Sequence, residues 1–188
     1  MVSICAGLDL SGSEERYSGI SIIHVMENTK IDVVFVGKMY TNEEITRTLM
    51  KHGVCIVAID APLTTPTTGK YFREVDLELI KMGYRVLPPS WASMKKLVER
   101  AIKLTKELRG LGISVIETHP TSSLKSSGCS SFEELLKKLN LEIPRKLSKD
   151  EVDAVISAIV CAFHVLNRDI VVKSKNGEVS LLPRICTD

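Results

Sequence analysis

Acidic residues stand at the ends of three apolar segments of this sequence, namely Asp9, Asp60 and Glu117. Apolar runs as dense as those before them are typical of strands buried on both faces. An unpaired charge there costs several kcal/mol, so each carboxylate needs a partner, hydrogen bonds or a bound cation. The simpler interpretations are that Asp9 caps the turn that follows it and that Glu117 lies at a surface strand end.

Two further acids, Asp150 and Asp153, lie three residues apart at the start of a predicted helix. Ser148 and Glu151 form a capping-box pattern that marks the N-terminus of this helix. Residues three apart share a helix face, and the helix dipole favours ionised carboxylates at that end. For Asp150 alone, complementing the dipole is the simpler interpretation. Asp153 begins an apolar run, so its charge again needs a partner.

Acids brought together in this way suit a hard divalent cation, which prefers oxygen ligands. Two such ions, roughly 3.5–4 Å apart, can activate a water molecule and stabilise the leaving oxygen of a phosphodiester. We therefore predict a site for Mg²⁺ or Mn²⁺, with two ions expected when substrate is bound, and no other cofactor. The predicted ligands are Asp9, Asp60, Asp150 and Asp153, with Asp9 bridging the ions from the central strand.

The order of the predicted elements explains how the acids could meet. Three strands form an antiparallel meander, and a helix that begins near Thr41 and stops at Gly53 leads to a fourth strand. A helix between two buried strands implies a parallel crossover, which puts Asp60 beside Asp9. The predicted fold class is α/β, a mixed five-stranded sheet flanked by helices. We predict one domain, residues 1–188, with a helical insertion at approximately 64–110 and a C-terminal hairpin.

The other elements follow from hydrophobic periodicity and turn residues. A Ser-rich segment at 122–131 is expected to be a loop, because it has no apolar period. The predicted helices are residues 71–82, 93–108, 132–139 and 148–166, the fifth strand is 113–117, and the hairpin strands are 170–173 and 179–182.

Composition limits the location and the partners. The net charge is +2, so overall charge does not argue for nucleic acid and any basic footprint must be local. No apolar run is long enough to span a membrane and the first residues lack a signal-peptide pattern, so we predict a cytoplasmic protein. The five cysteines form no Cys-x-x-Cys pair and are expected to be reduced. The absence of glutamine, with abundant Lys, Glu and Ile, indicates a thermophile.

Other side chains could contact substrate or move protons. His119 titrates near neutrality and could act as a general acid or steer a phosphate, although a hydrogen-bonded His at a strand end is the alternative. Arg73 could serve the site or pair with Asp76, and the basic face of the helix at 93–108 could track phosphates or simply be solvated. The candidate substrate contacts are Ser11, Ser13, Arg73, Lys96 and Arg100.

Five short motifs, in order along nearly the whole chain, carry a family resemblance. They are GLDLSG at 7–12, IDAPL at 59–63, LPPS at 87–90, ETHPTS at 117–122 and DEVDA at 150–154. The set resembles domain-of-unknown-function family 429, described as predicted nucleases with an RNase H-like fold. The acid pair on the last helix is similar to that of RuvC-type resolvases. One departure is Asp60, where RuvC-type enzymes usually have Glu, and the shorter side chain could change the metal spacing.

The resemblance implies a metal-dependent nuclease that hydrolyses phosphodiester bonds of RNA or DNA, with Asp9, Asp60, Asp150 and Asp153 on the metal and Glu117 and His119 assisting. A homodimer is left open. The first alternative is an actin- or sugar-kinase-like phosphotransferase or ATPase, which shares the sheet and a comparable phosphate-binding hairpin. The second is a non-catalytic protein of the same fold.

Overall fold

A computed structural model describes residues 3–186 and contains a five-stranded mixed sheet in the order β3-β2-β1-β4-β5. The first three strands form the predicted antiparallel meander, and β4 and β5 continue the sheet in parallel with β1. The α/β fold class is therefore confirmed. The strands are β1 (Ser3–Asp9), β2 (Ser18–Val25), β3 (Ile31–Met39), β4 (Ile56–Asp60) and β5 (Ser114–Glu117).

Helices cover both faces of the sheet. The apolar last helix, α6, packs on one face in a core that also contains Leu135 and Val155. The opposite face is covered by two helices that contribute Ile45 and Leu104. These two layers explain why the central strands are apolar on both sides. The helices are α1 (Asn42–Lys51), α2 (Glu74–Lys81), α3 (Ala92–Gly110), α4 (Pro120–Ser126), α5 (Phe132–Lys138) and α6 (Lys149–Val165).

The C-terminal hairpin makes a small separate sheet of β6 (Ile170–Ser174) and β7 (Gly177–Leu181), as predicted. It packs with α2 through a third apolar cluster that includes Leu79 and Val179. A single bridge from Thr118 to Ser180 ties the hairpin to the end of β5. The hairpin and α2 therefore stand beside the edge where the parallel strands end.

Helix α4 covers the first half of the segment 122–131 that was predicted to be a Ser-rich loop, so that prediction is wrong for residues 122–126. His119 is the N-cap of α4, and Pro120 occupies its first turn, where a missing backbone N–H costs nothing. The Ser122 and Ser123 side chains are buried against the neighbouring elements. Hydrophobic periodicity cannot detect this helix because its buried side is made of small polar residues.

The prediction that all five cysteines are reduced is also wrong. Cys129 and Cys186 form a disulfide that joins the segment after α4 to the C-terminal segment, with a sequence separation of 57 residues. Cys5, Cys55 and Cys161 are free, and two of them are buried in the core as expected. No helix within residues 3–186 is long and apolar enough to cross a membrane.

Candidate active site

Asp9 and Asp60 are neighbours at the carboxyl ends of two parallel strands. They are paired in the register of β1 and β4, so their Cα atoms lie side by side across the ladder. Both side chains are partly exposed, while the residues before them in each strand are fully buried. The predicted crossover therefore places two carboxylates at the same sheet edge.

The first turns of α6 bring Asp150 and Asp153 to the same place, and two glycines make this approach possible. A Cβ on Gly7 would lie 2.1 Å from the backbone nitrogen of Ala158, and one on Gly19 would lie 2.1 Å from the carbonyl oxygen of Asp150. Any side chain at either position would push α6 away from β1 and β2. Gly7 and Gly19 are thus positioning residues, since backbone contact sets the distance between the helix acids and the strand acids.

The electrostatics of Asp9 show that the two helix acids act on this strand acid. Burial first, then the charges of Asp153 and Asp150 and a hydrogen bond shared with Asp150, together raise the pKa of Asp9 to about 7. The Lys149 ammonium acts in the opposite direction. Asp9 is therefore poised to hold or release a proton near neutral pH.

Asp60 and Asp153 are perturbed in the same direction. Burial, followed by the charges of Asp9 and Asp153, holds the pKa of Asp60 well above its usual range. Burial also raises the pKa of Asp153, with Asp150 adding to the shift and Lys149 opposing it. The Lys149 ammonium, which opposes these shifts, belongs to an exposed side chain at the start of α6. In the acid cluster Asp9/Asp60/Asp150/Asp153, the ionised forms of Asp9, Asp60 and Asp153 are thus disfavoured.

Glu117, by contrast, is paired with Arg73. The guanidinium donates to both carboxylate oxygens of Glu117, at 2.8 and 2.6 Å, and the Leu63 N–H donates to Oε2 at 2.8 Å. Arg73 also donates to both oxygens of Asp76, at 2.7 Å from Nη2 to Oδ1. Burial raises the pKa of Glu117, whereas the bonds from Arg73 and Leu63 favour its ionised form.

These contacts revise two predicted roles. Only 2% of Arg73 and 7% of Glu117 is exposed, and Arg73 is held by two carboxylates and by Thr64. Arg73 is therefore not a free phosphate contact, and Glu117 is not a free ligand or base. The alternative, an Arg73–Asp76 ion pair, is present, and both of its side chains are buried. The Arg73 cluster (Arg73, Asp76 and Glu117) braces the end of β5 against α2.

His119 caps α4 with its ring. Its Nδ1 accepts from the Ser122 N–H at 3.3 Å and lies 2.7 Å from Ser122 Oγ. Burial lowers the pKa of His119, with the charge of Asp76 opposing this shift, so the ring is neutral at pH 7. Because Nδ1 accepts from a backbone N–H, the ring proton is assigned to Nε2. The hydrogen-bonded strand-end interpretation is thus realised, and Nε2 is left as a donor.

Arg100 holds the turn at 11–13 in place. Its guanidinium donates to the carbonyls of Ser11, Ser13 and Tyr40 and, through Nε, to the Asn42 side chain at 2.9 Å. It also donates to Ser11 Oγ at 2.7 Å. The donors of Arg100 are directed at the protein's own groups and the side chain is buried, so a phosphate contact by Arg100 stays a prediction that would require some of these bonds to break.

The other predicted substrate contacts differ in whether their side chains are already bonded within the protein. Ser11 Oγ donates to the carbonyls of Ser13 and Arg16, and Ser13 Oγ accepts from the Glu15 N–H, so the turn is internally bonded. Lys96 is exposed on α3 and does not line the cavity in front of the acids.

A cavity of about 360 Å³ opens in front of the four acids and also reaches the Arg73 cluster and His119. No three His, Cys, Asp or Glu side chains in residues 3–186 lie close enough together to hold one metal ion. The donor set nevertheless suits a hard cation, because it is all oxygen and its mutual repulsion has no adequate counter-charge. Carboxylates would have to turn toward a common point for an ion to bind.

Comparisons with known proteins bear on the fold. No family model matches the chain and no curated protein matches its sequence, so the resemblance to domain-of-unknown-function family 429 is not confirmed. Among solved structures, Thermus thermophilus RuvC in complex with Holliday junction substrate superposes with a TM-score of 0.57 at 12% identity, over 87% of this chain and 96% of that one.

A second structure of Thermus thermophilus RuvC gives a TM-score of 0.53 at 15% identity, over 87% of this chain and 96% of that one. The yeast mitochondrial Holliday junction resolvase Ydc2 gives 0.50 at 11% identity, over 83% of this chain and 76% of that one. Identities this low speak only for architecture. The chain has the RNase H-like fold of the RuvC-type resolvases.

Proposed function

We propose that the protein is a divalent-metal-dependent nuclease that hydrolyses phosphodiester bonds of nucleic acid. The observation that carries the proposal is the acid cluster, in which Asp9, Asp60 and Asp153 all have raised pKa values at one cavity and the exposed Lys149 ammonium opposes these shifts. Such an arrangement costs stability, so a function in binding a cation accounts for it.

The ions that fit this cluster are Mg²⁺ or Mn²⁺, with two expected when substrate is bound. Asp9, Asp60, Asp150 and Asp153 would hold them, and bound ions would supply activation of a water nucleophile and stabilisation of the leaving oxygen. Because the Asp60 side chain is shorter than that of Glu, an ion bound by it would have to lie closer to the end of β4.

The chain's own residues divide the remaining work. Asp9 would hold the ions from the central strand, with Asp60 on the neighbouring strand and Asp153 on α6 completing the site. Asp150, which is hydrogen-bonded to Asp9, orients the Asp9 carboxyl or a water molecule. His119, through Nε2, donates a hydrogen bond at the cavity, and Arg73 and Glu117 hold the cavity wall in place.

The structural neighbours support nucleic acid as the substrate class, since one of them is described in complex with Holliday junction substrate. This chain's +2 charge keeps any electrostatic contribution local, with Lys96 and Lys149 as exposed candidates. We propose a single domain of residues 1–188, in which the segment at approximately 64–110 is an insertion. A homodimer and the choice between RNA and DNA stay predictions.

We further propose a cytoplasmic location in a thermophile. Disulfides are rare in the cytoplasm of mesophiles but common in intracellular proteins of hyperthermophiles. The Cys129–Cys186 disulfide is compatible with this location, as is the absence of glutamine.

Substitution of the acids tests the nuclease proposal. Asp9→Asn and Asp153→Asn should each reduce Mn²⁺-dependent cleavage by at least about 1,000-fold, because each removes a charged oxygen ligand. Cleavage is measured on single-stranded, duplex and branched substrates. Asp32→Asn is the matched control, because Asp32 pairs with Lys30 on the surface, and it should retain full activity.

Unchanged cleavage in either folded acid variant would contradict the proposal. The kinase-like alternative predicts that ATP with Mg²⁺ raises the melting temperature of the wild type. The non-catalytic alternative predicts no cleavage and no Mn²⁺ binding.

A further inference from the structure

The cavity in front of the acid cluster is lined by two chemically different sets of residues. One set includes the carboxylates, and the other is an apolar wall from α2, the segment after it, α3 and the hairpin. The cavity volume of about 360 Å³ falls within the range of small-molecule sites. The wall is formed by Leu79, Val86, Leu87, Met94, Leu97 and Val179.

A base-paired strand exposes little apolar surface that could contact such a wall. In a duplex both faces of each base are stacked and the Watson–Crick edge is occupied, so apolar side chains reach only groove edges and backbone. An unpaired nucleotide exposes a flat apolar face and free polar edges, and nucleic-acid enzymes with enclosed pockets act on unpaired or extruded nucleotides. The cavity therefore fits one unpaired nucleotide better than the side of a double helix.

The polar groups at the cavity agree with this occupant. His119, Thr118 and Thr121 line the same cavity as the acids and the apolar wall. Because Nδ1 of His119 is held by Ser122, its Nε2–H is the ring group left to donate to a ligand acceptor such as a base carbonyl. Since α4 begins at this ring, the donor is fixed by the fold.

We infer that this cavity binds one unpaired nucleotide, with its base against the apolar wall and its phosphate toward the acid cluster. The preferred substrate is then a single-stranded segment or end, not fully paired DNA. This inference rests on the proposed function for its chemistry, but its binding component can be tested alone.

The binding experiment compares two leucines. Leu87 lines the cavity and is 57% exposed, whereas Leu77 is 42% exposed on α2 and does not line it. Leu87→Asn should weaken binding of a labelled oligodeoxythymidine of about 20 nucleotides by about tenfold, because an apolar contact with the base is lost. Leu77→Asn should bind it as the wild type does. Fluorescence anisotropy in Ca²⁺ measures both without turnover.

Cleavage in Mn²⁺ adds the comparison of substrates. The single strand should be cut at least about tenfold faster than its duplex or a four-way junction, and Leu87→Asn should lose most of that preference. Leu77→Asn should cut all three substrates within about twofold of wild type, since Leu77 lies outside the cavity.

Equal affinity for single strand and duplex, or Leu87→Asn binding that matches Leu77→Asn, would overturn the inference. If no phosphodiester is cut but the single-strand preference depends on Leu87, the nuclease proposal fails and the nucleotide site stands. Competition with deoxythymidine monophosphate distinguishes a free nucleotide from a nucleotide within a strand as the ligand. If the monophosphate displaces the oligonucleotide at a concentration no higher than that of the oligonucleotide, the site binds free nucleotides. If it does not displace the oligonucleotide, the site binds strands.

Discussion

Two groups of acids line the same cavity, and their charges are compensated in opposite ways. In the Arg73 cluster, one guanidinium donates to both Asp76 and Glu117, so each carboxylate oxygen faced by the arginine has a donor. In the acid cluster, the carboxylates face one another and the charge that opposes them is the exposed Lys149.

The presence or absence of a buried cation distinguishes acids that stabilise the fold from acids that bind a ligand. Where an acid is buried to build the fold, a permanent cation is buried with it, and breaking that pair is costly. Where acids are gathered without a buried cation, the fold accepts a loss of stability that only a ligand can offset. Glu117 ends a strand just as Asp60 does, yet the two residues belong to different groups because the Arg73 guanidinium donates to the carboxylate of Glu117.

The largest stability effect is expected at Arg73. Arg73→Met should lower the free energy of unfolding by about 3–5 kcal/mol, because Asp76 and Glu117 remain buried without their counter-charge. For a chain of this size that corresponds to a drop in melting temperature of roughly 10 °C. Thermal and urea unfolding measure it.

Two controls test whether charge is the cause. Arg47→Met breaks an exposed pair with Glu43 and should change stability by less than about 0.5 kcal/mol. Adding Asp76→Asn and Glu117→Gln to Arg73→Met should recover part of the loss. A loss that stays the same in the triple variant would show that packing, not uncompensated charge, is responsible.

A smaller effect of opposite sign is expected at Asp9. Folding raises the pKa of this carboxyl from 3.8 to about 7, so between about pH 4 and pH 7 the folded protein binds more protons than the unfolded chain. The free energy of unfolding therefore falls as the pH rises through this window, by up to about 4 kcal/mol from this group. Asp9→Asn should stabilise the metal-free protein at pH 7.5 by about 2 kcal/mol and flatten its pH dependence.

The measurement is metal-free thermal unfolding from pH 4 to pH 8, and Asp32→Asn again serves as the control. A variant that is less stable than wild type at pH 7.5, with an unchanged pH profile, would show that Asp9 is compensated. Addition of Mn²⁺ should then stabilise the wild type more than Asp9→Asn, which separates the cation site from a structural carboxylate.

Much of this arrangement could be predicted from the sequence. The apolar runs and the helix between the third and fourth strands predicted that Asp9 lies beside Asp60. The capping box at Ser148 predicted where α6 begins. These are local signals, or they follow from the handedness and direction of a single crossover.

The rest depends on contacts between distant parts of the chain. Glu117 and Arg73 are 44 residues apart, and nothing local shows that the guanidinium folds back onto the strand end. The role of Gly7 becomes visible only where the backbone of α6 lies against it. Cysteine spacing could not reveal the Cys129–Cys186 disulfide, since two residues separated by 57 positions are brought together only by tertiary structure.

The most direct test of the central claim is a crystal structure of the protein soaked in Mn²⁺, with anomalous scattering used to locate the ions. One or two peaks should lie among Asp9, Asp60 and Asp153, with the carboxylates turned toward them, and none should lie at the Arg73 cluster. A peak bound by Glu117 and Asp76, or carboxylates unchanged and without metal at millimolar Mn²⁺, would contradict the assignment of the acid cluster as the catalytic centre.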